Sequence, residues 1–156
     1  MVTAQGNLAL LKDPVAEELL HSRHLAHLAY NWTDGTPRVI PIWFLWNGEE
    51  IVLGSPQRAP KLTALSAGAP VALSIDTEAF PYKVLMIRGT IRAQTYNGPI
   101  PEEEAIATRY LGDEAGRAFM AGYVAGISKW VRLTIRPRWA GLLDFETRMP
   151  SAATKG

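Results

Sequence analysis

The chain has 156 residues, 47% of them hydrophobic and 20% charged, with a formal net charge of only +1. That is the size and make-up of one domain with an ordinary apolar core, expected to span 1–156, and the near-neutral balance lacks the basic field that nucleic-acid binding uses, so no nucleic-acid partner is expected. Zero cysteine removes disulfides, thiol nucleophiles and thiolate metal sites. No apolar run approaches the roughly 18 residues of a membrane span, and the first residues lack a signal-peptide pattern, so a cytoplasmic protein with no membrane partner is expected.

Residues 1–12 read as a flexible tail, followed by a helix from Pro14 to about Ser22 with Asp13 as N-cap, Pro14 at its first position, and Val15, Leu19 and Leu20 on one apolar face. His24 to Tyr30 reads as a strand, and Thr33-Asp34-Gly35-Thr36-Pro37 as a turn. Val39 to Trp46 is one β-branched and aromatic run; with the Asn47-Gly48 turn and Ile51-Val52-Leu53 it predicts a hairpin. Pro41 lacks a backbone donor, which restricts this strand to an edge or a bulge.

The second hairpin strand ends at Gly54-Ser55-Pro56, and Arg58 and Lys61 fall in the first turns of an expected helix running to about Ala67. A small residue, a hydroxyl, two cations and free helix-terminal amides form a turn suited to a phosphate. From the residues alone, Arg58 and Lys61 read more simply as solvated charges on an exposed helix.

Further strands are expected over Pro70 to Asp76 and Val84 to Ala93, then helices from Pro101 to near Gly112 and from about Asp113 to Tyr123. Trp130 to Arg136 alternates as a half-buried strand, with Val131, Leu133 and Ile135 on its inner face; Trp139 to Phe145 reads as one more strand and 150–156 as a second flexible tail. Glu102, Glu103 and Glu104 read as acids favoured by a helix start, and Lys83, Arg88, Arg92 and Lys129 as surface charges. His21, His24 and His27 fall across a helix end and a strand start, which breaks their convergence, so no metal site is expected. The strands, mostly in hairpin order, build a small closed or nearly closed antiparallel barrel flanked by helices.

Three motifs in this order, Asp34-Gly35-Thr36-Pro37-Arg38-Val39-Ile40-Pro41-Ile42-Trp43-Phe44, then Val52-Leu53-Gly54-Ser55-Pro56-Gln57-Arg58-Ala59-Pro60-Lys61, then Pro70 to Asp76 followed by Val84 to Thr90, resemble the pyridoxamine 5′-phosphate oxidase-related FMN-binding split-barrel superfamily, in its flavin- or deazaflavin-dependent oxidoreductase branch. Two residues stand between Arg58 and Lys61, where that superfamily often has them adjacent or one apart.

The resemblance implies a mainly β fold, a six- to seven-stranded antiparallel split β-barrel with flanking helices. It also implies a homodimer with FMN at the subunit interface. Gly54, Ser55, Arg58 and Lys61 would form the phosphate turn, the backbone of Ile40, Pro41, Ile42 and Trp43 would lie along the ring, and Trp139 of the second subunit would close the pocket. The activity implied is oxidoreduction of a small organic substrate, with coenzyme F420 as the alternative cofactor and, as the alternative role, a non-catalytic flavin- or haem-binding protein in which His21, His24 or His27 could supply an axial haem ligand. No catalytic side chain is assigned, because hydride transfer belongs to the cofactor.

Overall fold

Asp13 caps the first helix as its position demands: its carboxylate accepts from the Val15 amide at 3.0 Å, and Pro14 opens α1 (Pro14–Leu20). The computed structural model describes residues 3–149. Ahead of α1, a 3-10 turn over Leu8–Lys12 buries Leu10, and the Gln5 amide exchanges two hydrogen bonds with the Leu142 backbone. The expected N-terminal tail is thus docked from Gln5 onward. The tail expected over 150–156 lies outside the described residues.

Seven strands follow: β1 (Ala26–Asn31), β2 (Pro37–Ile42), β3 (Leu45–Trp46), β4 (Ile51–Pro56), β5 (Pro70–Asp76), β6 (Lys83–Asn97) and β7 (Lys129–Asp144). They form one antiparallel sheet in the order β2-β1-β5-β6-β7-β4-β3, and α2 (Glu103–Leu111) and α3 (Asp113–Gly122) are inserted between β6 and β7. The mainly β barrel with flanking helices is the expected architecture. Its inner core gathers Leu19, Leu28, Phe44, Leu53, Ile75, Leu85, Ile87 and Leu133, all buried. A second cluster, Val52, Ile100, Ile106, Val124 and Trp130, lies on the other face of β4 and β7 with Phe119 and Met120 of α3 packed against it.

The structure corrects three expectations. The run from Val39 to Trp46 is two strands: β2 pairs with β1 at one edge of the sheet and β3 with β4 at the opposite edge, so the chain crosses between edges at Trp43-Phe44. The crossing is stable because Phe44 is fully buried and side chains of α2 satisfy its backbone: its amide donates to the Tyr110 hydroxyl at 3.3 Å, and its carbonyl accepts from the Arg109 guanidinium at 2.6 Å. The hairpin shrinks to Leu45-Trp46 against Ile51-Val52, around a turn in which Asn47 Oδ1 accepts from the Glu49 and Glu50 amides. Pro41 does lie on an edge strand.

The basic turn does not open an α-helix; only a 3-10 turn over Pro60–Thr63 forms. Pro60 disfavours helical geometry at Ala59, which is extended, and Gly68 takes a φ of +85° that turns the chain toward β5. The two strands expected over Trp130 to Arg136 and Trp139 to Phe145 are one, β7, continuous through a bulge: Arg88 pairs with Trp139 and Gly89 with Pro137, leaving Arg138 as the extra residue. A bulge is where a sheet tolerates a proline such as Pro137. The outward face of the first half of β7 is covered as well, since Trp130 and Thr134 are buried.

Candidate functional site

β4 leads out of the core to the basic turn. Ile51 and Leu53 belong to the inner core, and Ser55, on the same side of the strand, is fully buried and donates its hydroxyl to the Pro56 carbonyl at 3.3 Å. Beyond it, Pro56, Gln57 and Arg58 form one wall of a pocket of about 330 Å³; Ile127, Ser128 and Lys129 form the other. The Gln57 amide donates to the Lys129 carbonyl at 3.0 Å, tying the two walls together. Lys129, read from sequence as a surface charge, thus faces the same groove as Arg58. Only the β4–β7 pairing brings them together, and no local pattern announces it.

Five Lys or Arg side chains are half-buried among the described residues: Lys61, Lys83, Arg109, Arg132 and Arg148. Four have partners: Lys83 meets Glu18 at 2.7 Å, Arg132 meets Glu102, Arg148 meets Asp13 at 3.1 Å, and Arg109 donates to backbone carbonyls. Lys61 has no hydrogen-bond or ion-pair partner among the described residues, and burial pulls its ammonium below the ordinary lysine value. A partly desolvated cation without a counter-charge costs folding free energy. Lys61 is not among the residues that line the groove beside Arg58.

On β2, Ile40 and Ile42 pack against the inner core, whereas Val39 and Pro41 are exposed. Trp43 stacks on Tyr110 with ring centroids 5.1 Å apart and planes 5° apart, and meets Phe119 at 5.5 Å. Trp139 lies on the outer face of β7, its ring against Gly6 and Gly141, with the Arg88 guanidinium 3.8 Å above the centroid. Of the four residues expected at the phosphate turn only Arg58 lines the groove: Gly54 is covered from α2, the Ser55 hydroxyl is buried against the Pro56 carbonyl, and Lys61 lies on the 3-10 turn beyond, while Trp43 is set against the helices and Trp139 has partners within its own subunit. His21 follows α1 and meets Glu17 at 3.2 Å, while His27 sits on β1 at 3.4 Å from Asp76.

The acids at the start of α2 are more than dipole partners. Glu102 grips Arg132 with both carboxylate oxygens, at 2.6–3.0 Å. Glu103 is buried, its Oε2 unpartnered, and burial with the adjacent Glu102 charge pushes its carboxyl up to about 7. It occupies the space over Gly54, where a Cβ would collide with Oε2 and stand 3.2 Å from Ile100 Cδ1. The sequence signal for this packing was the glycine in a strand, not the glutamates.

A pH dependence follows. The native carboxyl titrates near 7 and the unfolded one near 4.5, so the unfolded chain releases this proton first as pH rises. Stability contributed here is present below about 4.5 and is lost as pH climbs through about 7. Glu103→Gln should remove that slope and raise the unfolding free energy at pH 8 by about 1–3 kcal/mol. Urea unfolding of both proteins at pH 5 and pH 8 checks it; equal slopes would show that Glu103 titrates as an exposed acid does.

No family's sequence pattern matches the chain, and no curated protein matches it. Solved structures do. An F420 reductase shares 26% identity, with 80% of this chain and 94% of that one covered at a TM-score of 0.59. A Listeria innocua protein described as a candidate pyridoxamine 5′-phosphate oxidase shares 19% identity over 85% of this chain and 98% of its own, also at 0.59. The fold is the split barrel of the pyridoxamine 5′-phosphate oxidase-related proteins. A FAD and heme binding protein from Mycobacterium smegmatis has the same split barrel, with 20% identity over 90% of this chain and 76% of that one at 0.59. In this split barrel the closing link between the sheet edges is Trp43-Phe44, and the basic turn lies at the far end of β4 from the short hairpin.

Proposed function

We propose that this single-domain chain is a flavin-type oxidoreductase, a cytoplasmic homodimer that holds the phosphate-bearing tail of its cofactor at the basic turn and acts on a small organic substrate. The observation that carries the reading is Lys61: it is the half-buried cation without a partner among the described residues, in the turn that also carries Arg58 beside Lys129. The donor set fits a phosphate through its cations. Ser55 would contribute only by giving up its bond to the Pro56 carbonyl.

Bound there, FMN would supply the hydride chemistry. The chain's part is to hold the tail with Arg58 and Lys61 and to place the ring along the backbone of Ile40 to Trp43. Trp43 is fixed in place by Tyr110 and Phe119, so that end of the strand is preorganised. Gly54, inside β4 and covered by Glu103, leads toward the turn without facing it, and Trp139 would face the partner's pocket.

Coenzyme F420 is the second reading. The F420 reductase is the comparison at 26% identity, and it matches along 94% of its length. A longer phosphate-bearing tail also suits cations spread over Arg58, Lys61 and Lys129. Titration with FMN, F420 and haem, followed by the five tryptophans, separates the readings. Saturable binding of FMN or F420 is the expected result. Haem alone would turn the assignment toward a binding protein with a histidine ligand, and binding of none would overturn it. Sedimentation at micromolar concentration should show a dimer.

A further inference from the structure

We propose that His27, oriented by Asp76, is the proton donor of the oxidoreductase, serving a small substrate whose polarised double bond takes up the hydride. This rests on the cofactor reading above, in which the ring lies along the backbone of Ile40 to Trp43.

The outer face of the sheet singles out this pair. On β1, β2 and β5 the outward positions alternate with residues such as Leu28, Ile40 and Leu73, which belong to the inner core or pack against it. Those outward positions carry proline, alanine, valine, serine and asparagine, and the two that titrate are His27 and Asp76. Small side chains let a planar ring approach the sheet. Beyond β5, the charge that β6 adds to this face is Arg88, held on the Trp139 ring.

Register places the pair beside the ring's backbone. His27 stands directly opposite Pro41 of β2 on one side and Ser74 of β5 on the other. Side chains opposed in this way start about 5 Å apart at Cβ, so an imidazole at His27 reaches a molecule lying over Pro41. Asp76 follows Ser74 on the same face of β5, and its Oδ1 lies 3.4 Å from His27 Nδ1. Nε2, on the far side of the ring, is left to carry the transferred proton. A carboxylate at Nδ1 fixes the orientation of the imidazole and favours its charged form. The two side chains are 47% and 40% exposed, so the imidazole regains its proton from water after each transfer.

The step balances. The reduced cofactor, a flavin or deazaflavin, supplies the hydride. Hydride adds to one atom of a C=C bond conjugated to a carbonyl, or of a C=N bond, and the displaced electron pair takes the proton from Nε2 as the N–H bond breaks. The substrate gains two hydrogens, the cofactor loses two electrons, and His27 is left neutral.

Two measurements on the full chain test this. In the first, the His27 Cε1–H signal, assigned by its loss in His27→Ala, is followed by NMR during titration with FMN and with F420. It should move to a saturating limit while the signal of His21, beside Glu17 at the end of α1, stays in place. A cofactor that binds without moving the His27 signal overturns the inference and leaves the cofactor reading standing; binding of neither overturns both. In the second, the cofactor-loaded protein is reduced without oxygen and its reoxidation by cyclohexenone is timed. At matched occupancy His27→Ala should slow this by about 100-fold or more, and added imidazole should restore much of the rate. The rate should fall with rising pH in the unchanged protein, and Asp76→Asn should move that fall to lower pH by removing the charge that favours the imidazolium. A smaller loss in His27→Ala, a loss that imidazole does not relieve, or an enone that leaves the unchanged protein reduced overturns the proposal.

Discussion

Replacing Arg109 with alanine should lower the unfolding free energy by about 3–5 kcal/mol. Its guanidinium donates to the carbonyls of Leu20, the last residue of α1, and Ser22 just beyond it, and to the carbonyl of Phe44 at the link between the sheet edges, and it lies 4.5 Å from the Phe44 ring centroid. One side chain of α2 thus ties three segments distant in sequence. Truncation leaves acceptors at the end of α1 and at the barrel closure without donors, each costing about 1–3 kcal/mol when buried. Burial draws the guanidinium below the usual arginine value, but hydrogen bonding to several carbonyls keeps the charged form useful. Arg109→Lys should recover only part of the loss, because one ammonium does not reach carbonyls on separate segments as a fork does. Urea unfolding at constant m-value measures it; a loss under about 1 kcal/mol would mean that water replaces the clamp at no cost.

What could be read from the sequence was local. The Asp13 cap, the Pro70–Asp76 strand and the two helices before β7 are set by caps, prolines and periodicity within a few residues, and they form close to where those signals place them. The edge position of Pro41 was also legible, since it follows from one missing amide. The break at Trp43-Phe44 was not, because it depends on Arg109 and Tyr110, far along the chain, replacing ladder hydrogen bonds. Continuity of β7 was hidden by Pro137, which a sequence reading takes as a strand end and the structure seats at a bulge opposite Gly89. The same holds at the candidate site. Arg58 and Lys61 could be singled out because they sit close together in one turn, whereas no local signal marks Lys129, which reaches the groove from the neighbouring strand β7, or Glu103, which covers Gly54 from α2.

The double substitution Arg58→Ala with Lys61→Ala should weaken cofactor binding by about 2–5 kcal/mol, roughly 30-fold to several thousand-fold in the dissociation constant. The sign of a second measurement makes the test specific. A lysine kept for stability would, when removed, lower the unfolding free energy of the chain without cofactor. Lys61 is half-buried with no partner among the described residues, so Lys61→Met, which keeps the apolar stem and deletes the desolvated charge, should leave that free energy unchanged or raise it by about 0.5–1 kcal/mol. Binding and stability then move in opposite directions, as they do where a fold carries an uncompensated charge for a ligand. Thermal melts with and without FMN or F420 give both numbers from one preparation. Loss of stability in the cofactor-free chain with unchanged affinity would return Lys61 to a structural role and leave the phosphate turn without its central cation.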